Sequence, residues 1–484
     1  MAETRPFAAV PTKLYIGGRW CDASDSSTFD VLDPATGEVL ATIASGSADD
    51  ARRAVDAADR AGRDWAATPP RARAEVLRRA YELMTSRSDE FAELIVRENG
   101  KSWADATGEV AYAADFFRWY SEETVRVAGR LQTSPQGDKR ILTLQQPIGT
   151  AVLVTPWNFP AAMATRKIAP ALAAGCAVVL KPASDTPLTA LAVAHVLAEA
   201  GVPAGVVNVL PARRSGLVVK AMLEHPATRK LSFTGSTEVG RSLLRDAAEQ
   251  ILSVSMELGG NAPFVVFDDA DLEKAVAGAV VAKMRNGGQS CIAANRFYVQ
   301  SGIYAMFADR LTKALSEVSL GNGLDRSAEI GAMINTAAVD DTTDLVAKSV
   351  DAGATVTTGG DAVPGPGAFY PPTVLTGVDR DNPILEHEIF APVAPLVRFD
   401  TEDEALALAN ATQLGLASYV FTEDLARALR FAEALEAGMV GVNRGFISDP
   451  AAPFGGVKLS GLGREGGSEG IHEFMETKYV AVDW

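Results

Sequence analysis

The stretch Ala151-Val-Leu-Val-Thr155-Pro-Trp-Asn158-Phe-Pro160 decides how this chain is read. Five apolar or β-branched residues make a short strand buried on both faces, and a proline ends it. Pro160 then opens an alanine-rich run, 161–174, with the composition of a helix, and Gly175 closes it. The pattern repeats at once: 177–180 before 188–200, 206–210 before 217–224, and 230–234 before 237–250. Four successive strand–helix units with short apolar strands predict an α/β fold, a parallel sheet with helices on both faces. Such sheets bind ligands beyond the carboxyl ends of their strands. The unusual residues fall there: Thr155-Pro-Trp-Asn158, Lys181-Pro-Ala-Ser184 and Gly235-Ser-Thr-Glu-Val-Gly240.

Toward the N-terminus, residues up to about 45 read as short strands with a turn at Asp33-Pro-Ala-Thr-Gly37. Ser47-Ala-Asp-Asp50 has the form of a capping box and opens a helix to 65, which Pro69-Pro70 breaks. Helices 71–86 and 88–99 follow, the second stopped by Gly100. A longer helix, 104–127, carries Tyr112, Phe116, Phe117, Trp119 and Tyr120, read as core or subunit-contact aromatics, with a stacking surface as the alternative. Segments 130–133 and 140–146 read as a hairpin around Pro135-Gln-Gly-Asp138.

Toward the C-terminus the pattern predicts helices 272–284, 304–318 and 402–410, a loop 359–367 and a strand 439–443. A Gly-rich loop, Pro453-Phe-Gly-Gly-Val-Lys458, follows, and then a β-like tail, 475–484, that pairs with another segment or subunit.

The 484 residues accommodate roughly three domain-sized units. At 47% hydrophobic and 22% charged, with net charge −16, the composition is that of a soluble globular protein. The acidic balance argues against non-specific binding to nucleic acid or to anionic membranes, and an anionic substrate would need a local cationic site. Three scattered cysteines (Cys21, Cys176, Cys291) are too few for a disulfide framework or a zinc cluster, so no metal is expected. Met1 to Phe7 shows no apolar core of a signal peptide, and the longest apolar run, 168–180, is too short to span a bilayer. The expectation is a cytoplasmic, reduced, enzyme-like chain.

Cys291 stands in Asn286-Gly-Gly-Gln-Ser-Cys291, where a helix meets two glycines before a β-rich run, 296–300. The glycines can turn the chain sharply and put the thiol at an element junction. A thiol attacks as thiolate, so its surroundings must assist it; the alternative is a small buried hydrophobe. Gly235 and Ser236 open a helix after a strand, where free amides attract phosphate; a tight turn is the alternative. Lys181 ends a neighbouring strand, either reaching a ribose or phosphate or merely solvated. Glu257, flanked by apolar residues, is a candidate general base, the alternative being a salt-bridged structural carboxylate. Asn158 either donates to an oxyanion or caps the following helix.

Together, Thr155-Pro-Trp-Asn-Phe-Pro160, Phe233-Thr-Gly-Ser236, Met256-Glu-Leu-Gly-Gly-Asn261, the Cys291 stretch, Glu388-Ile-Phe-Ala-Pro392 and Pro453 to Lys458 resemble the NAD(P)-dependent aldehyde dehydrogenase superfamily. The resemblance spans essentially the whole chain in the family's order. It implies a Rossmann-type cofactor domain (1–128 and 147–256), an α/β catalytic domain (257–452), and a small β oligomerisation arm and tail (129–146 and 453–484). It implies Cys291 as nucleophile, Asn158 with the Cys291 N–H as oxyanion hole, and Glu257 as general base. Trp157, Lys181, Ser184, Gly235, Ser236, Leu258, Glu388 and Phe390 become cofactor contacts, and the protein a homodimer or homotetramer.

Ser184 occupies a position where NAD-preferring relatives carry Glu, leaving room for a 2′-phosphate, so NADP is expected in preference to NAD. Arg166, Arg285 and Ser448 are similar to the trio with which succinate-semialdehyde dehydrogenases hold the far carboxylate; a bidentate arginine suits that group. A structural ion pair or a helix C-terminal partner is the alternative for each arginine alone. Ala293 replaces the second cysteine that some relatives use as a redox lock, and Asp449-Pro450 after Ser448 leaves glutarate semialdehyde open. The other readings are a broad dehydrogenase of neutral or aromatic aldehydes, a CoA-acylating enzyme, which Glu257 argues against, and a non-catalytic protein on this fold.

Overall fold

The computed structural model describes residues 12–483; the reading of Met1 to Phe7 and the last tail residue lie outside that range. The predicted strand–helix units form the centre of an eight-stranded sheet. Val207–Val209, Val178–Lys181, Thr150–Val154, Thr228–Thr234 and Ser253–Glu257 run parallel in that spatial order, with antiparallel strands at both edges. From Thr150–Val154 the chain first adds strands on one side and then returns to build Thr228–Thr234 on the other. The crevice between these two strand ends is where such a sheet receives a ligand. Asn158 and Gly235 flank it.

A second sheet of seven strands is parallel except at the Thr355–Thr358 edge. Ala294–Gln300 lies within it between Val393–Phe399 and Ala262–Val266. Aromatic side chains pack both faces: Phe264 against Phe297 and Phe421 on one, Phe267 against Phe399 and Phe431 on the other. The tail, Met475–Val482, pairs antiparallel with Arg140–Pro147, which pairs with Arg130–Thr133 to make a three-stranded arm. Its pairing partner is therefore a segment of the same chain. Gly461–Leu462 instead joins the edge of the first sheet beside Met256 and Glu257.

Local chemistry accounts for most boundaries. Ser47 and Asp50 form the reciprocal capping box of Ala48–Ala67. Gly100, Gly175 and Gly201 each close a helix in the left-handed conformation. The helix expected over 104–127 is Trp103–Glu123, ending a turn earlier, where Glu123 pairs with Arg126 beyond the end. Sequence pattern misses Ala262–Val266, Val393–Phe399 and Ala417–Phe421, because strands buried on both faces show no alternation.

Candidate active site

Cys291 is placed by an abrupt end to the helix Leu272–Met284. Asn286, Gly287 and Gly288 all have positive φ (54°, 59° and 77°). A Cβ on Gly288 would lie 2.2 Å from the Ala391 carbonyl oxygen, so the close approach itself requires glycine. Gly260 faces the Cys291 carbonyl as closely, at 2.1 Å from its would-be Cβ, which docks the loop against the end of the first sheet. Cys291 keeps part of its surface open to a cavity of about 210 Å³ that also meets Asn158 and Glu388. The protein around the sulfur pushes its pKa up to about 12: burial dominates, Arg166 and Arg285 oppose it, and Glu388 and Glu257 add to it. The resting sulfur is therefore a thiol, and its activation requires removal of a proton.

Asn158 does not cap the helix Pro160–Ala174, whose N-cap is Phe159 with no side-chain bond. Its Nδ2 donates to the Gln289 carbonyl at 3.1 Å, leaving the second amide proton for another acceptor. Its backbone carbonyl is held by Lys101 Nζ at 2.8 Å and Asn286 Nδ2 at 2.9 Å, so the turn is braced from two elements. The Cys291 N–H has no backbone acceptor among the described residues.

Glu257 ends its strand fully buried, and neither carboxylate oxygen has a hydrogen-bond partner, which removes the salt-bridged alternative. Burial and the Glu465 charge raise its pKa well above the carboxylate range, while Arg166, Lys167 and Arg464 pull the other way.

On the dinucleotide side, Glu388 Oε1 accepts from the Gly260 N–H at 3.0 Å, and burial pushes the carboxyl up to about 7. Trp157 and Phe390 meet edge to face at 5.6 Å. Lys181 is not a solvated strand-end lysine: it is 5% exposed, donates to Ser215 Oγ at 2.9 Å, and burial lowers its pKa to about 8. Ser184 lies 3.4 Å from the Asp185 carboxylate, and Ser236 caps the helix Thr237–Ala248 through the Val239 N–H. Leu258 packs against Gly240, where a Cβ would come within 2.4 Å. The Thr234 hydroxyl lines the same cavity buried and without a partner, a polar group left for a ligand. The residues present fit a nicotinamide dinucleotide.

A second cavity, of about 360 Å³, is lined by Arg285, Tyr112 and Phe446, with Asp105 and Glu329 also on its wall. The Arg285 guanidinium sits 4.5 Å from the Phe159 ring, 4.8 Å from Phe446 and 5.9 Å from Tyr112, and makes no ion pair among the described residues. Arg166 stacks 4.2 Å from the Phe454 ring and pairs through Nε with Glu465 at 2.5 Å. The ion-pair alternative thus holds for Arg166 and fails for Arg285. Lys167 pairs with the same Glu465 and donates to Ser232 at 2.9 Å, so two buried basic side chains share one carboxylate. Ser448 is buried close to the Tyr112 phenol.

Residues 20–480 match the aldehyde dehydrogenase family. The chain belongs to that family. It is 54% identical to a succinate-semialdehyde dehydrogenase of Paenarthrobacter nicotinovorans over 92% of this chain and 99% of the relative. It is 48% identical to the Escherichia coli enzyme named succinate-semialdehyde dehydrogenase [NADP(+)] GabD, over 96% and 97%. A crystal structure of succinate-semialdehyde dehydrogenase from Burkholderia pseudomallei superposes with a TM-score of 0.96 at 48% identity, covering 97% of each chain.

Within this aldehyde dehydrogenase, the sequence singles out Asn158, Cys291, Arg166, Arg285 and Ser448, reads Tyr112 as a core or subunit-contact aromatic, and offers Lys167 and Glu465 only as members of two neighbouring stretches. Thr165-Arg-Lys167 and Gly461-Leu-Gly-Arg-Glu465 stand out in the sequence, yet nothing local says that they meet. Lys283 was also missed: buried, it donates to Asn295 at 3.0 Å and the Ile389 carbonyl at 3.1 Å, its pKa lowered to about 7 by burial near Glu388. Among the described residues no helix is long and apolar enough to cross a membrane.

Proposed function

We propose that this enzyme oxidises succinate semialdehyde to succinate, with NADP accepted in preference to NAD. The observation that carries the substrate is the pair of guanidinium groups, Arg166 and Arg285, close enough to act on the nucleophile in an otherwise acidic protein, with Ser448 near the neighbouring Tyr112 phenol. A carboxylate bound there gains charge-assisted hydrogen bonds that a neutral aldehyde cannot make.

The chemistry follows from the groups present. Cys291 sulfur, once deprotonated, bonds to the aldehyde carbon, and the oxygen takes the carbonyl electron pair as an oxyanion. The free Asn158 Nδ2 proton and the Cys291 N–H stabilise that charge from fixed positions. A nicotinamide dinucleotide bound beside Glu388 supplies the hydride acceptor. The resulting thioester on Cys291 is hydrolysed when Glu257 removes a proton from water; the carbon–sulfur bond breaks and the carboxylic acid leaves. Burial of Glu257 without partners supports that role, because a raised pKa suits a base working near neutrality.

For the cofactor, Ser184 beside the cation Lys181 supports room for a 2′-phosphate. The remaining assignments are our reading too: residues 1–128 and 147–256 for the cofactor, 257–452 for catalysis, and 129–146 with 453–484 for assembly, in the cytoplasm. Leu131, Leu144 and Tyr479 stand 61%, 39% and 54% exposed on the arm, an apolar surface suited to a second or fourth copy. Light scattering tests the assembly, and a monomer would refute it.

The deciding assay is kcat/KM for succinate semialdehyde, glutarate semialdehyde and butanal with each dinucleotide. Preference for the carboxylated aldehydes of about 10²-fold is expected. Equal rates on butanal would remove the substrate assignment, and strong NAD preference would remove the cofactor assignment.

A further inference from the structure

We propose that Tyr112 is a fourth donor of the substrate-tail site, its phenol O–H bonding the distal carboxylate between Arg166, Arg285 and Ser448. This rests on the carboxylate reading above. Tyr112 belongs to the helix Trp103–Glu123, and Asp105, Gly108 and Tyr112, spaced i, i+3 and i+7, face the cavity that Arg285 lines. Gly108 leaves open space there: a Cβ on it would meet nothing within 4 Å.

The phenol oxygen is buried and has no hydrogen-bond partner. Buried hydroxyls are normally satisfied, and one that the fold leaves unmatched beside two guanidinium groups points to a ligand acceptor. Arg166 and Ser448 lie close enough to influence the oxygen without forming a hydrogen bond of good geometry, and Arg285 lies against the ring. Burial raises the phenol's pKa, with the two arginines opposing, so the group stays a protonated donor at working pH. The neighbouring helix positions behave differently. Phe116 and Phe117 are wholly buried core, and the Trp119 Nε1–H is satisfied by the Gly467 carbonyl at 3.0 Å.

The test is Tyr112→Phe, which keeps the ring and its edge contact with Phe116 at 4.9 Å. We expect KM for succinate semialdehyde to rise about tenfold or more, with a far smaller change in kcat, since a hydrogen bond to a charged group is lost. The preference for succinate semialdehyde over butanal should fall by the same factor. Without substrate, Tm should hold or rise, because an unmatched buried hydroxyl has been removed.

Equal losses on both aldehydes, an unchanged KM, or a Tm lower by several degrees would overturn the assignment, the last by showing the hydroxyl to be structural. A wild type that already handles butanal as well would remove the carboxylate reading itself. A wild type that prefers the carboxylate, with Tyr112→Phe retaining that full preference, would remove the phenol alone.

Discussion

The cavity at Cys291 is built mainly from residues at and after strand ends, whereas the Tyr112 and Arg285 cavity is walled by helix faces. The side we propose for the dinucleotide takes Asn158, Gly235 and Glu257 from the carboxyl ends of three parallel strands, and the Gly260 N–H there holds Glu388. The side we propose for the aldehyde takes Tyr112 and Arg166 from two helices and Arg285 from the turn after a third. Its contacts are guanidinium groups stacked on rings. On that reading, groups fixed at strand ends are the same for every aldehyde and serve the reaction. A side-chain wall is decided residue by residue, so it serves selection.

That division can be broken by substitution, beginning where the effect should be greatest. Glu257→Gln should lower steady-state kcat by about 10²–10⁴ on all aldehydes alike, while a pre-steady-state burst of reduced dinucleotide survives. A loss confined to carboxylated substrates would contradict the division. Asn158→Ala should lower kcat by about 10²–10³, again without regard to the aldehyde tail, in a protein with an unchanged circular dichroism spectrum. Wild-type turnover would end its assignment as an oxyanion donor.

Arg285→Ala tests the other wall. It should reduce kcat/KM for succinate semialdehyde by about 30-fold or more and that for butanal far less, since Arg285 has no internal ion pair to lose. Glu465→Gln tests the border between the two. The Glu465 charge raises the Glu257 pKa, and its removal also frees Arg166 and Lys167, which lower it. Both changes favour the ionised base. The rise of kcat with pH, present because the base works deprotonated, should therefore move to lower pH. A profile that stays in place would show that the two carboxylates do not communicate.

The dinucleotide side was the more legible in sequence. Short β-branched runs, glycine stops and prolines at helix starts act over a few residues, so Thr150–Val154 and Pro160–Ala174 could be read almost to their ends. The Asn286–Gly288 turn was equally local. The aldehyde side was legible only in part. Tyr112 shares a helix with Phe116 and Phe117, and composition cannot tell the ring that meets a cavity from those that meet the core. Lys181 shows the limit on the other wall as well: its strand-end position was plain, and its burial was not.

What the sequence determined by itself was the strand–helix order of the first sheet, and hence that Asn158, Lys181 and Gly235 would gather at the carboxyl ends of its strands, with Cys291 at a glycine turn. Those features follow from backbone preferences set within a few residues of each position. Only the tertiary structure decided how the charges are shared. Glu465, some 298 residues from Lys167, is claimed by two cations, while Glu257 and Arg285 are left unpaired. Coulomb attraction and desolvation depend on distance in space, and the sequence between two residues does not record it.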